Sequence, residues 1–105
     1  MNKITVLVKE PDRRCRPVMI ENKLKSFKEL VGGYIEVFRW QPDRGIIGIC
    51  NEEGKLLNLE PNISTDADLI CGTVIFCGVD GEEFSDFPFN PYEDPEWALA
   101  MEQPL

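Results

Sequence analysis

The sequence predicts an α+β domain: a five- or six-stranded, mostly antiparallel sheet with a ββα start, one short helix packed on it and a short C-terminal helix. Three observations predict it. Short runs with period-two apolar alternation are separated by Pro, Gly, Asn and Asp clusters. Between the second and third runs, apolar residues instead recur at helical spacing. Residues 69–77 are apolar on both faces, the pattern of a strand covered from both sides. At 105 residues, 43% of them hydrophobic, the chain is large enough for one self-supporting core.

Each element follows in order. Residues 3–9 are a strand with Ile4, Val6 and Val8 on one face and Thr5 and Leu7 on the other. The apolar second face puts this strand inside the sheet. Pro11 and Asp12 turn the chain into a basic loop ending at Arg16, and residues 17–21 return as a second strand, with Pro17 at its first position. Ser26 and Glu29 have the spacing of a capping box at a helix start. Leu24, Phe27, Leu30 and Val31 form that helix's apolar face, and Gly32-Gly33 ends it.

Residues 34–40 are the next strand, with Ile35 and Val37 opposite Tyr34, Phe38 and Trp40. A turn through Pro42 and Gly45 leads to a strand at 46–50. A tight turn at Asn51-Glu52-Glu53-Gly54 then predicts a hairpin returning over residues 55–59. Pro61 breaks that strand, 63–68 is a polar loop, and 69–77 is one continuous buried strand. Near the C-terminus, Asp94 is the expected N-cap of a helix with Pro95 at its first position, and Trp97, Ala100 and Met101 form its stripe. The chain divides into an α+β domain over 1–86 and an acidic, Pro- and aromatic-rich tail over 87–105.

Charge is distributed unevenly. Residues 1–55 hold all 11 Lys+Arg against 8 of the 19 Asp+Glu, while residues 56–105 hold no basic residue and the remaining 11 acids. A net charge of −8 repels phosphate backbones, so direct nucleic-acid binding is not expected, and the acidic half suits a basic partner surface. Arg13, Arg14 and Arg16 are too few to reverse that. No apolar run is long enough for a membrane span, and the opening residues read as a strand, not a signal peptide. The expected location is therefore cytoplasmic.

The chain has no histidine, which removes Ser-His and Cys-His pairs and the commonest general base. Cys15, Cys50, Cys71 and Cys77 form no C-x-x-C pair, so neither a metal site nor a cofactor is implied. Cys50, Cys71 and Cys77 sit in apolar runs and read as buried small hydrophobes. Cys15 lies between Arg14 and Arg16, neighbours that favour the thiolate, and reads as an ordinary exposed loop thiol. Gly32-Gly33-Tyr34 follows a helix where a phosphate cradle would precede one. Asn51-Glu52-Glu53-Gly54-Lys55 reads as a solvated turn.

Three stretches together resemble a family of small uncharacterised proteins encoded by bacterial phages, plasmids and conjugative elements. They are residues 30–36 (Leu30 to Glu36), residues 51–56 with Asn58 and Pro61-Asn62 after them, and Ile70-Cys71-Gly72-Thr73. The resemblance covers residues 3–85 and implies a mobile-element origin and no known reaction.

The functional expectation is a non-enzymatic accessory protein that binds a host or element-encoded protein. Phe87, Phe89, Tyr92, Asp94, Trp97 and Met101 are the candidate partner-binding residues, aromatics among acids supplying anchors and steering. The alternatives are an acidic mimic of DNA directed against restriction or defence enzymes, and an enzyme on a small molecule or nucleotide. A deep pocket lined by Tyr34, Trp40 or Lys55 favours the last. Oligomeric state is open.

Overall fold

The computed structural model describes residues 2–104. Eight strands and two helices run in the order β1 (Lys3–Lys9), β2 (Arg16–Glu21), α1 (Leu24–Val31), β3 (Ile35–Gln41), β4 (Ile46–Asn51), β5 (Pro61–Ser64), β6 (Leu69–Cys71), β7 (Val74–Asp80), β8 (Glu83–Ser85) and α2 (Pro95–Glu102). The principal sheet has the order β2-β1-β7-β4-β3, with β8 added to the far end of β7, and every ladder is antiparallel. A separate β5-β6 hairpin packs beside it. This is the α+β architecture with a ββα start and a C-terminal helix that the patterning predicts.

The sheet is covered on both faces. On one, α1 buries Phe27 and Val31 against Ile4, Val6, Val8, Ile49, Ile75 and Cys77. On the other, β6 and the C-terminal segment cover Leu7, Ile46, Val74 and Phe76 with Ile70, Phe87, Trp97, Ala100 and Met101. β7 is the middle strand, and its alternating residues feed both layers: Val74 and Phe76 to one, Ile75 and Cys77 to the other. Its two-faced apolar sequence has this cause.

Three local expectations are corrected. Helix α1 starts at Leu24 with Lys23 as an uncapped N-cap, so Ser26 and Glu29 lie inside the helix and form no capping box. The chain leaves β2 through Asn22 and Lys23, whose amides bond Asn2 and Glu21 carbonyls, and the first turn is already set there. Its other end agrees with the reading: Gly32 adopts φ +80°, the left-handed conformation that suits glycine.

Residues 55–59 are not a strand. β3 and β7 occupy both edges of β4, leaving no edge for a hairpin return. The segment winds through turns instead, with Leu57 N bonded to Glu53 O and Leu59 N to Gly54 O. Residues 69–77 are two strands, not one. Gly72, at φ +90°, breaks the run, and a Cβ there would lie 2.7 Å from a Leu59 methyl. The kink lets β6 pair with β5 while β7 enters the main sheet. Strand β8 extends the sheet just before the tail, and Asn22 Nδ2 donates to its Phe84 carbonyl at 2.7 Å.

Candidate functional site

The β1 alternation that buries Leu7 on one face also directs Lys9 there. Lys9 is 3% exposed, a lysine inside the molecule. Its Nζ donates to Asn62 Oδ1 at 2.8 Å and, more weakly, to the Glu10 carbonyl at 3.5 Å. Asn62 is itself oriented: its Nδ2 donates to the Lys9 and Gly72 carbonyls, each at 2.8 Å, so its oxygen must face the ammonium. Among the described residues no carboxylate lies within 4.0 Å of Nζ. Burial lowers the pKa of the amine from its usual range, only partly opposed by the neighbouring Cys15 and Asp12.

Lys9 opens on a cavity of about 340 Å³. Trp40, Phe76 and Trp97 form much of its wall, and Gln41, Asn62 and Ile63 also line it. The rings interlock: Phe76 meets Trp97 edge-on with centroids 5.1 Å apart and Trp40 at 5.4 Å. Such a volume lies within the range of small-molecule sites, which are mostly apolar with a few fixed polar groups.

Two bulges build this cavity. The β3–β4 register shifts between Arg39 and Gln41, and the β5–β6 register shifts between Pro61 and Ile63. In regular strands consecutive side chains point to opposite faces. The irregularities allow consecutive residues, Trp40 with Gln41 and Asn62 with Ile63, to line one cavity.

The C-terminal helix closes the other side. Trp97 Nε1 donates to Gln41 Oε1 at 3.0 Å, and Gln41 Nε2 donates to Glu96 at 2.6 Å. Asp94 caps α2 by accepting from the Trp97 amide and pairs with Arg44 at 2.6 Å. That guanidinium also stacks over Phe89 at 4.4 Å and approaches Glu96 at 3.8 Å. The Arg44 hydrogen bond, then the Trp97 amide, holds the Asp94 carboxyl below its usual range.

The six candidate residues of the tail therefore have different places. Phe87, Trp97 and Met101 are buried in the core layer, and Phe89 packs against it. Asp94 is a helix cap and half of an ion pair. Tyr92, 58% exposed, is the one whose side chain remains largely at the surface. Of the pocket residues singled out by sequence, only Trp40 lines the aromatic cavity. Tyr34 is exposed beneath Lys28, and Lys55 pairs with Asp68 at a separate hollow of about 100 Å³.

Cys15 is corrected. It is buried, its amide donates to the Ala100 carbonyl at 2.8 Å, and desolvation pushes its thiol up to about 11 despite Lys9. The flanking arginines point elsewhere: Arg14 donates to the Met101 carbonyl and Arg16 reaches Glu10 at 4.0 Å. Cys50, Cys71 and Cys77 are buried, as their apolar runs predict. Sequence reasoning missed Lys9 and Asn62. The available signal was Lys9's position two residues after Leu7 on the buried side of an interior strand.

No helix among the described residues is long and apolar enough to cross a membrane. No curated protein and no solved structure matches the chain. A family model matches residues 4–94, a span containing Lys9, Trp40, Gln41 and Asn62. The chain belongs to that family, described as a domain of unknown function, DUF3846.

Proposed function

We propose that this protein is a non-enzymatic binding module whose ligand is a small molecule seated in the aromatic cavity beside Lys9. The observation that carries the reading is a buried lysine, supplied only with neutral acceptors, at the wall of a cavity that also presents Trp40, Phe76 and Trp97. Burying a cation without a counter-ion opposes folding, and a core position two residues from Leu7 would be filled at lower cost by an apolar side chain. Binding is favoured over catalysis because the other titratable wall residues are engaged, Cys15 as a buried thiol and Glu96 with Gln41 and Arg44, and the chain has no histidine to act as general base. Within this reading the protein is a cytoplasmic accessory factor of a phage or other mobile element, and the cavity is where it senses or sequesters a metabolite.

The test is a screen of flat bicyclic fragments against the full chain, followed by the indole N–H signals of its two tryptophans, Trp40 and Trp97. Saturable shifts of both indole signals are expected. A screen whose binders all shift other regions, or that yields no binder, overturns the reading.

A second reading, binding of a protein with a basic surface, draws on the outer side of the C-terminal segment. Tyr92 and Leu99 are exposed there, 58% and 44% respectively, amid acids. Tyr92→Ser with Leu99→Ser should abolish capture of such a partner without moving the unfolding midpoint. Undiminished capture contradicts it.

A further inference from the structure

We infer that the ligand of this cavity is a planar aromatic molecule bearing a single carboxylate or comparable monoanion, with the anion held by Lys9 Nζ. The inference rests on the cavity being a ligand site and adds the chemistry of its occupant. An ammonium has three donors. Here two acceptors meet them, Asn62 Oδ1 at 2.8 Å and the more distant Glu10 carbonyl at 3.5 Å, and both are neutral. The charge is therefore hydrogen-bonded but not neutralised. Asn62 cannot turn away, because both its amide protons are held by backbone carbonyls. The ammonium is thus preorganised, and an incoming anion meets a fixed donor in surroundings where water competes little.

The rest of the wall sets the ligand's shape and charge. Trp40, Phe76 and Trp97 offer ring faces and edges, which suit a flat apolar body. Glu96 lines the same cavity, tied to Gln41 at 2.6 Å and near Arg44 at 3.8 Å. Its carboxylate opposes a second negative charge, as does Asp12 near Lys9. A lone ammonium with no guanidinium beside it suits one carboxylate better than a phosphate dianion, which favours several donors. Cys15, the remaining titratable wall residue, is held as the neutral thiol and leaves the amine to the ligand.

The experiment compares two probes of one shape, 2-naphthoate and 2-naphthylmethanol, titrated into the full chain at neutral pH with the Trp40 and Trp97 indole signals as readout. Naphthoate should bind at least about tenfold more tightly, as expected for a charge-assisted bond replacing a neutral one. Lys9→Met should remove that preference while the alcohol still binds. Equal affinities in the wild type, or a preference for the alcohol, overturn the inference but leave the cavity a ligand site. So does an undiminished naphthoate preference in Lys9→Met. Silence of both indole signals with both probes overturns the ligand-site reading itself. The wild-type ratio decides the matter even if Lys9→Met does not fold.

Discussion

Trp97 and Gln41, 56 residues apart, share a hydrogen bond of 3.0 Å from the indole Nε1 to the amide oxygen. Gln41 closes the circuit by donating to Glu96, the residue before Trp97, at 2.6 Å. The end of the edge strand β3 is thereby stitched to α2, and the cavity lies beside the stitch. The C-terminal segment is thus a wall of the cavity as well as a cover for the sheet.

The first prediction concerns that segment. Deleting residues 87–105 removes Phe87, Trp97, Ala100 and Met101 from the core layer and exposes Leu7, Val74 and Phe76. The loss should exceed the roughly 3–5 kcal/mol typical of one buried aromatic truncation. Urea denaturation of the truncated chain should show a molten or unfolded protein. A truncated chain with the full-length midpoint would mean the segment does not support the core.

Phe76→Ala tests the central strand. Phe76 is 2% exposed and contacts both cavity tryptophans. The expected loss is roughly 3–5 kcal/mol by chemical denaturation. A change under about 1 kcal/mol would contradict its central position, since it lies well below the cost of truncating a buried phenylalanine.

Asp94 makes stability pH-dependent. Arg44 and the Trp97 amide depress its folded pKa. Its contribution is therefore present above the usual carboxylate range, near about pH 4, and is lost as pH falls through the lower folded value. Asp94→Asn keeps an N-cap oxygen but cannot titrate. Between pH 5 and the acid limit, the wild-type urea midpoint should fall more steeply than the variant's. Parallel curves would show that the ion pair is not coupled to folding.

The thiols should be inert in the folded state. Cys15, Cys50, Cys71 and Cys77 are free and buried, and desolvation raises Cys15 and Cys50 to about 11 and Cys77 to about 12. Ellman's reagent at pH 8 should titrate four thiols in urea, but react with the native protein only at the rate of unfolding. Immediate reaction of one native thiol, with Cys15→Ser abolishing it, would contradict the burial of Cys15.

Sequence alone determined the elements whose cause is local. The β1 strand, the glycine stop of α1, the Asp94-Pro95 start of α2 and the two-faced character of β7 all follow from side-chain period, left-handed glycine and cap chemistry. The family resemblance drew on Pro61-Asn62 without disclosing why Asn62 stands there. Tertiary structure decided what depends on occupied edges and distant partners. Residues 55–59 look like a strand, yet β4 has no edge left for them, because β3 and β7 take both. Cys15 looks exposed between arginines, yet the Ala100 carbonyl meets its amide across most of the chain. Lys9 looks like an ordinary charged strand end. It comes to line a cavity only because a bulge in β5 brings Asn62 to it, a bulge in β3 turns Trp40 and Gln41 inward, and α2 closes above them. Those contacts join residues more than 50 positions apart in the chain, beyond the reach of any local periodicity.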